Sequence, residues 1–100
     1  FTRTCLFFIT IIVAPAFEEI VFRGILLPFA VRRAGFWPGM ILISIFFGGL
    51  HLHLPSFFPL FLLSMMFSLA YARTRSLLVP IGMHAAFNGV TVLLLLLAGG

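Results

Sequence analysis

The sequence predicts an all-α, polytopic transmembrane helix bundle of about four spans, and three observations predict it. Of the 100 residues, 63% are hydrophobic and only 8% are charged, whereas a soluble domain carries about 25% charged residues. Mean hydropathy is +1.30, so no soluble surface can be built. The apolar residues also fall into four runs, separated by the prolines, glycines and arginines that mark membrane boundaries.

The first run extends from about Thr4 to Arg32 and carries Pro15, Glu18, Glu19, Arg23 and Pro28. As a helix it measures about 42 Å against roughly 30 Å of hydrocarbon, so it must tilt, kink at a proline or leave the bilayer. Arg32-Arg33-Ala34-Gly35-Phe36-Trp37-Pro38-Gly39 closes it with charge, glycine and an interfacial tryptophan. The second run, from about Met40 to Leu52 or His53, is short for a span unless Phe36 to Gly39 contribute. Leu54-Pro55-Ser56 ends it. The third runs from about Phe57 to Ala72 and is closed by Arg73-Thr74-Arg75-Ser76. The fourth runs from about Leu77 to Ala98, with Pro80 near its first turn, where proline is tolerated, or kinking it. Four spans would place Arg32, Arg33, Arg73 and Arg75 on one side, which the positive-inside rule assigns to the cytoplasm, and Arg3 on the other.

The net charge of +4 arises from arginine alone. No basic stripe or polar, aromatic-interleaved surface accompanies it, so nucleic acid is not an expected partner; the lipid bilayer is. The lone Cys5 forms no internal disulfide and is expected to pack against lipid or a neighbouring helix. No basic region precedes a short apolar core at the start, so no signal peptide is read there. The chain opens and closes in mid-pattern, as expected of the core of a larger membrane protein.

Glu18 and Glu19 are the two acidic residues, adjacent within an apolar run. An ionisable group at membrane depth costs roughly 2.5–3.5 kcal/mol on insertion scales, and a like neighbour adds to it. Glu19 and Arg23 lie one turn apart on one face, acid first, the favoured order for an ion pair. Glu18 points about 100° away and is left free. In Phe47-Gly48-Gly49-Leu50-His51, the glycines let another backbone approach a histidine near a helix end. Alone, such a histidine more often caps a helix or sits at the interface; His53, two positions on, is read that way or as a supporting group. His84 and Asn88 are four apart and share a face, with small Ala85 and Ala86 beside them. Ser44, Ser64 and Ser68 can bond their own helix backbone and need no function.

Counted at 1.5 Å per residue from the arginine-rich side, Glu18 lies about 22 Å deep, His51 about 21 Å, Asn88 about 20 Å and His84 about 14 Å. Convergence is therefore geometrically open. A carboxylate and a histidine can deprotonate a water, directly or through a metal, while a second histidine and an asparagine can donate to an oxyanion. Such a set suits amide hydrolysis without a covalent nucleophile, since Cys5 lies several turns from Glu18.

Glu18-Glu19-xxx-Arg23, Phe47-xxx-His51 and His84-xxx-Asn88, in this order, resemble the motif set of the CPBP intramembrane proteases. That family includes the CAAX prenyl endopeptidases and the bacterial Abi, or bacteriocin-processing, homologues. The resemblance covers nearly the whole chain, read as one membrane domain over residues 1–100 with flanking helices missing. It implies an intramembrane endopeptidase acting on a peptide or protein substrate. Glu18 with His51 would activate water, His84 and Asn88 would polarise the scissile carbonyl, and Glu19 with Arg23 would support the site. A zinc ion, Zn(2+), held by Glu18, His51 and His84 is the other form of the mechanism, and the sequence, lacking a helical HExxH, leaves that choice open. The short bacterial-type homologues look nearer, which implies a bacterial plasma membrane and does not favour a prenylated substrate. A catalytically silent immunity or scaffold protein of the same family is the alternative, though every motif position is intact. A proton or ion pathway is a third reading, without the internal repeats typical of transporters.

Overall fold

The computed structural model describes residues 2–99. Its elements are four helices: α1 (Thr2–Ala34), α2 (Phe36–Gly49), α3 (Leu54–Thr74) and α4 (Leu78–Leu97). No strand occurs among the described residues. The bundle is the predicted one, but only α1, α3 and α4 are long and apolar enough to cross a membrane. At 14 residues α2 reaches about 21 Å and falls short. The structure therefore gives three candidate spans plus a short apolar helix.

Local chemistry sets the boundaries. Gly35, at φ 96°, adopts a conformation closed to most residues and turns the chain between α1 and α2. Helix α2 starts four residues before the sequence-predicted Met40 because Pro38 falls in its first turn, where its missing N–H is no loss. Pro55 likewise lies in the first turn of α3, three residues earlier than expected. Arg75, left-handed at φ 55°, ends α3 with its N–H on Tyr71 O at 2.7 Å.

Helix α1 is not uniformly α-helical. It widens into π turns at Ile9–Val13 and Ile20–Leu26, each just before a proline. The Ala14 N–H bonds Ile9 O and the Leu27 N–H bonds Phe22 O, both five residues back. Pro15 and Pro28 cannot donate to the carbonyls four residues behind them, and the wider turns absorb the defect. The Glu18–Glu19 pair sits in the short α-helical stretch between the two.

Successive helices are antiparallel. A Cβ on Gly39 would lie 2.8–2.9 Å from the backbone of Ala30 and Val31, so α1 and α2 touch through bare backbone there. Gly48 abuts Phe57 of α3, while Gly24 faces Leu77 and Gly89 faces Ile11, which runs α4 back along α1. The packed interior joins the apolar Phe22, Met40, Ile43, Phe47 and Phe67 to the polar Glu19, Arg23, Ser44, Ser64, Ser68 and His84, while Leu6, Phe8, Ile25, Leu62 and Leu93 to Leu97 are exposed. Such a surface requires lipid. Cys5 is exposed among these apolar residues.

Candidate active site

The site is built around a buried ion pair. Glu19 and Arg23 are both fully buried, and Arg23 Nε lies 3.3 Å from Glu19 Oε1. Neither atom completes a well-directed hydrogen bond, so the contact is an ion pair held by proximity. The guanidinium is fixed from elsewhere. Its Nη2 donates to Ser64 O at 2.7 Å and to Ser64 Oγ at 2.5 Å. Its Cζ stands 4.9 Å from the Phe47 ring centroid and 5.4 Å from that of Phe67, a cation–π setting that offsets desolvation. From sequence Ser64 can bond its own helix backbone and needs no function; it is instead the anchor of Arg23, the one buried cation among the described residues. Phe47 acquires a role as well, since its ring meets Phe22, His51 and His84 besides Arg23.

The other Glu19 oxygen reaches α4. His84 Nδ1 lies 2.8 Å from Glu19 Oε2, and a carboxylate paired with arginine only accepts, so Nδ1 carries the hydrogen. Across the ring, His84 Nε2 lies 3.3 Å from Glu18 Oε1, a contact that needs a proton from one partner or the other. Stacking on Phe67, centroids 5.2 Å apart, sets the ring plane. His84 thus bridges both glutamates: its meeting with Glu18 is the convergence the sequence leaves open, whereas its bond to Glu19 is not foreseen there. As the spacing predicts, Glu19 is sealed and Glu18 is not: the Glu18 side chain is 37% exposed.

His51 stands at the end of α2, exposed, with its Nδ1 2.8 Å from Phe47 O. A carbonyl only accepts, so Nδ1 holds the hydrogen and Nε2 presents a lone pair. Glu18, His51, His84 and Asn88 line one cavity of about 180 Å³, walled by Phe47, Leu60, Leu63, Phe67 and Phe87. Glu18 and His51 also border a second cavity of about 260 Å³ with Phe22 and Leu50. His53 lies apart from both; its Nδ1 and Ser56 Oγ share a 2.6 Å hydrogen bond at the start of α3. Asn88 is committed on one side, where its Nδ2 donates to Thr10 O at 3.0 Å.

Glu18, His51 and His84 are the residues that would hold a zinc ion, which would acidify a bound water there, although among the described residues no three His, Cys, Asp or Glu side chains converge as metal ligands. With its Nδ1–H given to Glu19, His84 Nε2, beside Glu18 Oε1, is the nitrogen that would face a metal.

Fold and site together define a class: an integral membrane helix bundle that holds a carboxylate and two histidines around a cavity. Residues 1–90 match the family model described as Type II CAAX prenyl endopeptidase Rce1-like, and the chain belongs to that family of membrane peptidases. It is 31% identical over 83 residues to the protein described as "Putative membrane peptidase YdiL" of Bacillus subtilis (strain 168), an alignment covering 83% of this chain and 34% of that protein. The chain thus spans about a third of that relative's length. No solved structure matches it.

Proposed function

We propose that this chain is the catalytic core of an intramembrane endopeptidase that hydrolyses a peptide bond with water activated by Glu18 and His51, in a bacterial plasma membrane. The observation that carries this reading is the convergence of Glu18, His51, His84 and Asn88 on one cavity. Glu18, partly exposed, accepts a proton from water as the water oxygen attacks the carbonyl carbon; His51 Nε2 accepts a hydrogen bond from the same water. The carbonyl oxygen becomes an oxyanion, met by a proton on His84 Nε2 and by the second N–H of Asn88. The C–N bond then breaks, the leaving nitrogen takes the proton held by Glu18, and an amine and a carboxylic acid remain. Each oxyanion donor of this kind contributes about 10²–10³ in rate. Glu19 and Arg23 hold His84 in place. The apolar walls of the cavity suit a peptide with an aliphatic or aromatic side chain beside the scissile bond.

The test is cleavage of fluorogenic peptides by the full-length protein in detergent, with a prenylated CAAX peptide and its unprenylated counterpart in the set. Glu18→Gln should lower kcat by about 10²–10⁴, the usual contribution of a general base. Undiminished turnover in that variant would sink the mechanism and favour a silent scaffold protein. Because no step passes through a metal, the rate should survive chelator. Loss with chelator and recovery with Zn²⁺ would replace this mechanism with a metal-centred one.

A further inference from the structure

The two π turns of α1 share one spacing: a carbonyl is followed five residues later by a proline, Thr10 by Pro15 and Arg23 by Pro28. In the first, the Ala14 N–H passes over Thr10 and bonds Ile9 O. The next donor in that register would be residue 15, which has no N–H. Thr10 O is therefore left without a partner in its own helix, a state that hydrocarbon penalises heavily. Helix α4 supplies the partner, because Asn88 Nδ2 donates to Thr10 O at 3.0 Å. Close approach makes this reachable: a Cβ on Gly89 would touch the Ile11 side chain at 3.8 Å.

We infer that Pro15 is a positioning residue for the reaction: by withholding an N–H it keeps Thr10 O open to Asn88, and so fixes the amide beside Glu18 and His84. The inference rests on the reading of Asn88 as an oxyanion donor. A carbonyl only accepts, so the amide cannot present its oxygen to Thr10 and its flip state is set. One N–H is consumed, while the second N–H and Oδ1 remain for the cavity that Asn88 lines. Asn88 makes no other hydrogen bond among the described residues. An alanine at position 15 would bring an N–H into the helix, where it competes for Thr10 O and releases the amide.

The experiment uses the full-length protein and compares Pro15→Ala with a variant carrying lactic acid at position 15, joined through a backbone ester. Both have a methyl side chain, and only the first has an N–H. Pro15→Ala should lower kcat by about tenfold or more with KM within about twofold, as expected for a displaced oxyanion donor. The ester should keep the parental kcat, and in an Asn88→Ala background Pro15→Ala should have no further effect. Equal losses in the ester and alanine variants, or additive losses in the double variant, would overturn the inference. A ¹³C=¹⁸O label at Thr10 gives a readout that needs neither turnover nor the Pro15 variant. Its infrared stretch should rise in frequency in Asn88→Ala, and an unmoved band would overturn the proposed link. Full activity in Asn88→Ala would instead remove the oxyanion role itself, a result distinct from a slow Asn88→Ala beside a normal Pro15→Ala.

Discussion

Glu19 serves two partners with two oxygens: Oε1 faces Arg23 and Oε2 accepts from His84. Its charge is offset by one cation that is itself anchored on Ser64. Removing one member of a buried pair leaves the other uncompensated and costs about 3–5 kcal/mol, whereas replacing both by neutral groups costs far less. Arg23→Met should therefore lower the thermal midpoint in detergent more than the Glu19→Gln, Arg23→Met double variant does. A double variant less stable than the single would refute the electrostatic account. At this scale the sequence was legible where chemistry is local. The Glu19–Arg23 pair follows from four-residue spacing, and so does the freedom of Glu18. The bond from His84 to Glu19 was not legible, because the two lie 65 residues apart and nothing in the spacing of α4 points from one to the other. Ser64 was passed over for the same reason: a helical serine ordinarily satisfies itself, and only the tertiary approach of Arg23 gives it another task.

Among the elements, α1 departs furthest from what periodicity implies. A 3.6-residue repeat locates the helix and its prolines but cannot announce that the chain answers each proline by widening to π geometry. The boundaries of α2 and α3 moved outward because Pro38 and Pro55 are compatible with a helix start. Contact between α1 and α2 depends instead on one missing side chain. With backbone atoms 2.8–2.9 Å from its would-be Cβ, Gly39 cannot accept a methyl unless the helices separate. Gly39→Ala should destabilise by about 1–3 kcal/mol, the usual cost of overpacking. Gly82, in α4, has nothing within 4 Å of that position. Gly82→Ala should be neutral or stabilise by about 0.5–1 kcal/mol through lost chain entropy. Thermal unfolding of the two variants in one detergent checks both, and equal shifts would contradict the backbone-contact account.

The whole molecule is stepped. Helix α2 packs Gly39 on Val31 and Phe47 on Phe22, and it ends where His51 joins Glu18 at the cavity. The first half of α1 and the last half of α4 continue past that level as an antiparallel pair with exposed apolar flanks. The cavity thus lies at the foot of a step, beside the end of α2. Arg32 and Arg33 close α1, and Arg73 and Arg75 lie at the end of α3, all on the same side of the site; Cys5 lies on the other. Helix α1 alone, at 33 residues and about 50 Å, exceeds the roughly 30 Å of hydrocarbon, so its ends must emerge or tilt. Under the positive-inside rule the arginine cluster is expected in the cytoplasm. In intact cells, a membrane-impermeant maleimide should leave Arg33→Cys and Arg75→Cys, each in a Cys5→Ser background, unlabelled until the membrane is opened. Labelling of both in intact cells would invert the orientation, and labelling of only one would break the antiparallel order of α1, α2 and α3 on which the step depends.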